Sequence, residues 1–327
     1  MGASAVSVRR AVATDRPALI ALASRSLGWT PGAVTEAHFA WKHDENPFGR
    51  SPMWIAEVDG RPAGFRTFLR WELVAPDGTV HRVVRAVDTA TDPEFQGRGI
   101  FTRLTLTALD ELTDDGVSFV FNTPNDQSRP GYLKMGWRTV GTLGVAMRPT
   151  GLGGLVRSAR ARTPAERGAV ATDCGRAAGP LLTDRSFATA LLAAAPSPTG
   201  WCTHRTPEYL AWRYGPESLH YRLVGPSADP AAGAAVVHLR RRGPAVEAVV
   251  AELLVPDRAT ARAALRAVAR SGADHLVRLR GTPDHLGALG FAPVPRVGPV
   301  LTARALTAEP PTALADWAVT LGDIELF

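Results

Sequence analysis

The stretch 87–112 constrains this chain more than any other. It reads as a strand (Val87-Asp88-Thr89-Ala90-Thr91), an acidic turn (Asp92-Pro93-Glu94), a Gln96-Gly97-Arg98-Gly99 loop and then a helix. Phe101, Leu104, Ala108 and Leu112 recur at helical spacing, which gives that helix one apolar face to bury. A loop at a helix N-terminus presents unpaired backbone N–H groups and the positive end of the helix dipole, and both favour an anion. Gly97 and Gly99 carry no Cβ, so positive φ is open to them and a phosphate can approach the backbone. No Lys-Ser/Thr follows the glycines, which excludes a nucleoside-triphosphate P-loop, and Thr102 stands where a dinucleotide site would place a third glycine.

The residues ahead of the loop fall into a simple order. A short alternating strand at 6–9 precedes a helix over 18–26, with Asp15 as its expected N-cap and Pro17 in its first turn. A second helix covers 35–42 and is stopped before Pro47. Runs at 53–58, 63–74 and 79–91 predict an antiparallel meander turned at Asp59-Gly60 and Pro76-Asp77-Gly78. A further strand at 117–122 is parallel to its neighbour if the helix between them is a crossover.

A second motif follows in 121–137, where Asn125, Ser128, Tyr132, Lys134 and Gly136-Trp137 stand at fixed spacings. Together with Gln96-Gly97-Arg98-Gly99, it resembles the two signature motifs of the GCN5-related N-acetyltransferases, the GNAT superfamily. The resemblance implies an α/β (α+β) fold, a mixed, mostly antiparallel sheet flanked by helices. It implies acetyl-CoA, or another short acyl-CoA, as cofactor. The pyrophosphate would lie on Gln96, Gly97, Arg98, Gly99, Ile100, Phe101 and Thr102, with Asn125 and Ser128 towards the pantetheine or adenine. The Tyr132 hydroxyl would protonate the departing thiolate. Trp137 reads as core.

Amine attack on a thioester needs a neutral amine and therefore a base or a water chain, and it needs donors for the oxyanion. Backbone N–H groups around Thr89, Ala90 and Thr91 are the candidate donors. Asp88, Glu94 and Asp92 are the candidate bases, with a solvated turn as the simpler reading of the last two. No Cys or Ser nucleophile with a His partner is visible, so direct attack in a ternary complex is expected.

The remaining 180 or so residues (~, about one further domain) echo the first part in register. Phe39-Ala40-Trp41-Lys42 returns as Leu210-Ala211-Trp212-Arg213, the run Asp88 to Pro93 as Glu252 to Asp257, and Leu133-Lys134-Met135-Gly136-Trp137 as a run ending Leu289-Gly290-Phe291. The glycine loop and the tyrosine have no counterpart. The expectation is two tandem GNAT-like domains: 1–149 binding acyl-CoA, a Gly/Ala/Arg-rich linker at 150–182, and 183–327 without a pyrophosphate loop. The apolar, acidic ending Asp323-Ile324-Glu325-Leu326-Phe327 has two readings. One is a last strand of the second domain. The other comes from a resemblance to the enhanced-intracellular-survival acetyltransferases, which implies that Asp323, Glu325 or the Phe327 carboxylate serves as base.

Composition narrows the partners. The net charge is +6, but the basic residues are Arg almost throughout, with Lys only at Lys42 and Lys134. That bias looks like a GC-rich coding sequence, so the charge is not taken as evidence for nucleic acid, although it suits a polyanionic cofactor. Cys174 and Cys202 fit neither a disulfide framework nor a zinc site, and the scattered histidines have no metal-ligand spacing, so no metal is expected. No apolar run is long enough to span a bilayer, and the N-terminus has no signal-peptide core. A cytoplasmic enzyme acting on a small-molecule amine, such as an amino sugar or an aminoglycoside-like metabolite, is the expectation, with monomer and homodimer both open. The rival readings are a Fem-type transferase using aminoacyl-tRNA and a non-catalytic CoA-sensing module.

Overall fold

The computed structural model describes residues 5–161, 163–166, 168–280 and 289–324. The chain divides into two compact units. The first comprises Met1–Val74, Gly78–Gly141 and Val300–Thr312, and the second Ala75–Asp77, Thr142–Pro299 and Ala313–Phe327.

The first unit runs β1 (Val6–Arg10), α1 (Arg16–Leu27), α2 (Ala33–His43), β2 (Met53–Val58), β3 (Arg61–Val74), β4 (Val80–Thr91), α3 (Ile100–Asp114), β5 (Phe119–Asn122), α4 (Arg129–Lys134) and β6 (Arg138–Thr142). Its sheet has the path β1-β2-β3-β4-β5, then the late strand Val300–Ala305, then β6. β1 to β4 pair antiparallel, as the two turns dictate. β4 and β5 pair parallel, because α3 carries the chain back across the sheet. Leu19, Ile20, Leu22 and Ala23 of α1 and Phe39 of α2 pack with Ile55 and Phe65 into one core cluster. Ile100, Leu104, Ala108, Leu109 and Leu112 of α3 form another with Trp54, Phe68, Tyr132 and Trp137. Phe101, expected in the buried stripe, is only partly buried and lies against that cluster.

α3 comes close to β3 because Gly64 leaves room for it. A Cβ at Gly64 would stand 2.9 Å from both the Ala90 carbonyl oxygen and Ile100 Cγ2.

In the second unit, the strand β7 (Val145–Pro149) lies between the strands Ala292–Val294 and His275–Leu279. The sheet continues through Ala245–Leu254, Ala234–Arg242 and Arg222–Val224 to Arg176–Ala177. Here too a parallel pairing, of 247–249 with 275–277, follows a crossover helix, Arg258–Ala269. The two sheets share a defect. In the first, Arg66 faces Thr89 and Thr67 faces Val87, so Asp88 is an extra residue. In the second, Val236 faces Glu252 and Val237 faces Val250, so Ala251 is extra. In both, a proline follows five residues later, Pro93 and Pro256. Pairing geometry thus supports the duplication that the sequence echoes indicate.

Four expectations change. Residues 300–312 belong to the first unit, not the second, because Val300–Ala305 fills the place between β5 and β6. The segment 150–182 is not a free connection, since it forms the helix Leu152–Arg160 and two short strands paired within the second sheet. Asp15 stands at the N-cap of α1 without a capping hydrogen bond, and its carboxylate accepts instead from the Val12 N–H and from Arg9. The chain's last described element is a short helix, Leu321–Ile324, rather than a strand.

Replacing Gly64 with Val forces α3 off β3. It should cost about 1–3 kcal/mol by overpacking, read as a lower urea midpoint at unchanged m-value.

Candidate functional site

The site begins with the end of a ladder. The registers joining β4 to β5 are Val84↔Val120 and Arg85↔Phe121, while β4 itself runs on to Thr91. Beyond Arg85 the two strands no longer pair, so Val87 to Thr91 offer backbone N–H and C=O groups along an open edge. The bulge at Asp88 helps to turn the strand there, and Asp88 adopts a left-handed φ of 35°.

That conformation is held from α2. Lys42 Nζ lies 2.7 Å from Asp88 Oδ2, and His43 Nε2 lies 3.0 Å from the same oxygen. Burial pushes the Asp88 carboxyl up, but the charge of Lys42 and the hydrogen bond from His43 outweigh it and hold the group well below the usual carboxylate range. Burial holds the His43 imidazole below its ordinary value, against the pull of Asp88. A carboxylate only accepts, so neutral His43 carries its proton on Nε2 and accepts at Nδ1 from the Ser51 hydroxyl, 3.1 Å away. Asp88 is therefore a fixed negative charge at the bulge. In the second unit Tyr214, the counterpart of His43, donates to Glu252, the residue after the bulge, at 2.9 Å, and burial pushes that carboxyl up.

The loop follows. Gln96, Gly97, Arg98 and Gly99 are exposed, and Gly97 and Gly99 take left-handed φ values of 76° and 71°. Gly99 is the N-cap of α3 and supplies no side-chain cap, and no acidic residue stands in the helix's first turn. The N-terminal N–H groups thus remain available to an external anion. The counterpart helix differs at this point: Asp257 caps it, accepting from the Thr260 N–H at 2.8 Å. Its own carboxylate occupies the place an anion would take. Ile100 is buried, and Thr102 is exposed on the outer face of α3.

The remaining expected residues divide into two groups. Asn125 Oδ1 accepts from the Ser128 N–H and hydroxyl, both at 2.9 Å, and so shapes the turn into α4. Tyr132 is buried, with its ring 5.4 Å from Phe101 and 5.0 Å from Trp137. It lies on the α3 side of the sheet, whereas Asp88 faces α2. Thr89 donates its hydroxyl to the Phe65 carbonyl at 3.0 Å, and Ala90 is buried. The other acids lie apart. Asp92 caps the turn at the Glu94 N–H and pairs with Arg25, and Glu94 is exposed and pairs with Arg61. These four charged groups border a cavity of about 470 Å³ that includes neither Asp88 nor Tyr132. Asp323 is buried in the second unit, 3.3 Å from both Arg205 and the Tyr209 hydroxyl. Glu325 and Phe327 lie outside the described residues.

The sequence reading missed the partners Lys42 and His43. A signal existed: in a chain that uses Arg for nearly every cation, a lysine in the last turn of α2 marks a place for a compact ammonium. Among the described residues, no group of three or more His, Cys, Asp or Glu is placed to hold a metal ion, and no helix is long and apolar enough to cross a membrane.

Comparison with known proteins agrees with this geometry. A family model described as an acetyltransferase (GNAT) domain matches residues 7–140. Apart from residues 75–77, that match falls within the first unit. Three solved structures share the fold over both units. A probable N-acyltransferase from Enterococcus faecalis superposes with a TM-score of 0.64 at 12% identity, covering 93% of this chain and 73% of its own. A GCN5-related N-acetyltransferase from Anabaena variabilis gives 0.64 at 14% identity, with 92% and 73% covered. Eis1 from Mycobacterium abscessus gives 0.59 at 16% identity, with 93% and 74% covered. No curated protein matches the sequence.

Lys42→Met leaves the Asp88 carboxylate with only a neutral partner and should cost about 3–5 kcal/mol, most of it recovered in the Lys42→Met/Asp88→Asn double variant. The depressed Asp88 pKa stabilises the fold above its unfolded value of about 3.9, and the gain is lost as pH falls towards the folded value. Asp88→Asn should therefore show a shallower loss of stability below about pH 4, measured by denaturant titration at a series of pH values.

Proposed function

We propose that this protein transfers an acyl group, acetyl in the simplest case, from coenzyme A to the amine of a small molecule such as an amino sugar or an aminoglycoside-like metabolite. The observation that carries the reading is the uncapped N-terminus of α3 behind an exposed Gly97/Gly99 loop, beside the open edge of β4. The loop and dipole receive the pyrophosphate. The N–H groups of 87–91 receive the pantetheine amides and the thioester carbonyl, and stabilise the oxyanion as the amine attacks.

Asp88 and Tyr132 then act from opposite faces of the sheet. Asp88, kept ionised, attracts the acceptor ammonium and orients the amine once its proton has gone to solvent. Its low pKa makes it a better anchor than base. The C–N bond forms, the C–S bond breaks, and Tyr132 supplies a proton to sulfur. Glu94, turned to solvent and paired with Arg61, has no part in this scheme.

Calorimetric titration with acetyl-CoA should show binding to the native chain that Gly99→Glu abolishes, since the new side chain puts a carboxylate at the dipole and strains a left-handed backbone. An amine screen following thiol release identifies acceptors, and on these Tyr132→Phe should lower kcat about 100-fold with little change in KM. Absence of acetyl-CoA binding to folded protein would overturn the reading.

A further inference from the structure

Arg66 is the most anomalous side chain of the first unit. It lies on β3, opposite Thr89 and next to the bulge, and it is fully buried. Its Nε, Nη1 and Nη2 atoms are all enclosed and have no hydrogen-bond partner. The guanidinium carbon is 4.6 Å from the Phe68 ring, 5.1 Å from Tyr132 and 5.6 Å from Phe101. Aromatic rings stabilise a cation, but they offset only part of the desolvation penalty of an isolated buried charge. The rings also leave unmet the hydrogen-bonding capacity of five N–H donors. Arg85, the buried arginine of β4, is stacked in the same manner on Trp71 and Phe121, but only its Nε is left unbonded.

We infer that Arg66 is a thiolate-stabilising residue, whose guanidinium receives the negative charge that appears on the coenzyme A sulfur when the acyl group leaves. The inference rests on the acyl-CoA reading and extends it. Two features select this anion. First, phosphates must stay at the exposed loop, whereas Arg66 has no exposed surface, so a standing anion from solvent would have to be desolvated to reach it. A thiolate is generated in place from a neutral thioester and carries no such cost. Second, Arg66 stacks on the ring of Tyr132, the proposed proton donor to the same sulfur. A donor set unmet in the ground state and met as charge develops lowers the barrier without tightening substrate binding. In the step itself, the amine nitrogen bonds to the carbonyl carbon and the C–S pair departs on sulfur beside Arg66. The sulfur then takes the Tyr132 proton, which solvent replaces, and the nitrogen loses its extra proton to solvent.

The test uses the full chain with reduced coenzyme A and needs no acceptor. The ultraviolet thiolate band of bound coenzyme A is titrated against pH, with the desulfo-coenzyme A complex subtracted to remove protein ionisations. Free coenzyme A, titrated in the same buffers, is the reference. On the native protein the bound thiol should titrate lower, with the thiolate fraction near neutral pH raised about tenfold, a shift of about one pH unit. Arg66→Met should abolish the shift and Arg66→Lys keep part of it, while calorimetry shows coenzyme A binding to both. Arg66→Met should also raise Tm, because an uncompensated buried charge is gone. A bound thiol that titrates like free coenzyme A, or a shift that survives in Arg66→Met, overturns the assignment to Arg66 while leaving the acyl-CoA reading intact. Failure of coenzyme A to bind the native chain overturns both.

Discussion

The hold of Lys42 and His43 on Asp88 is the interaction on which the rest of the first unit depends. A residue with positive φ in the middle of a strand is unfavourable by itself, and it persists where the surroundings over-determine it. Here a buried ammonium and a buried imidazole share one carboxylate oxygen, so the extra residue cannot slide out of register without uncovering charge. The bulge then separates the behaviour of β4 into two halves. Before it, the strand is an ordinary member of the sheet, paired on both sides. After it, one side of the strand is unpaired with β5, and the chain leads straight into the loop and a helix N-terminus whose N-cap, Gly99, supplies no side-chain cap. A local defect thus produces both the edge and the cradle.

The two units show what happens when one device is kept and another lost. Both have the bulge, the parallel pairing and the crossover helix. In the first, two glycines leave the helix N-terminus open; in the second, Asp257 closes it. The difference is one of charge. An aspartate in the capping position satisfies the same N–H groups that a phosphate would, and it adds a negative charge that repels one. The second unit therefore has the same architecture with a capped helix N-terminus in place of an uncapped one.

Much of this could be read from residues alone. The loop, α3, the order of β2 to β4 and the parallel β5 follow from glycines, turn pairs and apolar spacing, which are local signals. Trp137, read as core from its place in the second motif, is buried. What could not be read was non-local. Nothing in Lys42-His43 says that a strand forty-odd residues later (~, a separation far beyond local contacts) bends back to meet them. Asp88 looked like a base because its pKa depends on partners that only the fold assembles. Arg66 sat unnoticed in an apolar run, since a lone arginine in a strand usually reaches solvent. The late strand Val300–Ala305 pairs with β5 across nearly the whole length of the second unit, and no local signal assigns the range 183–327 to more than one domain.

That strand has a consequence in time. As the chain leaves the ribosome, residues 1–149 emerge with β5 complete but its outer neighbour still about 150 residues from being made (~, at 5–20 residues per second). For many seconds the first unit carries an exposed strand edge, the kind of edge that recruits foreign strands. A chain interrupted anywhere before Val300 therefore lacks the strand that covers the outer edge of β5.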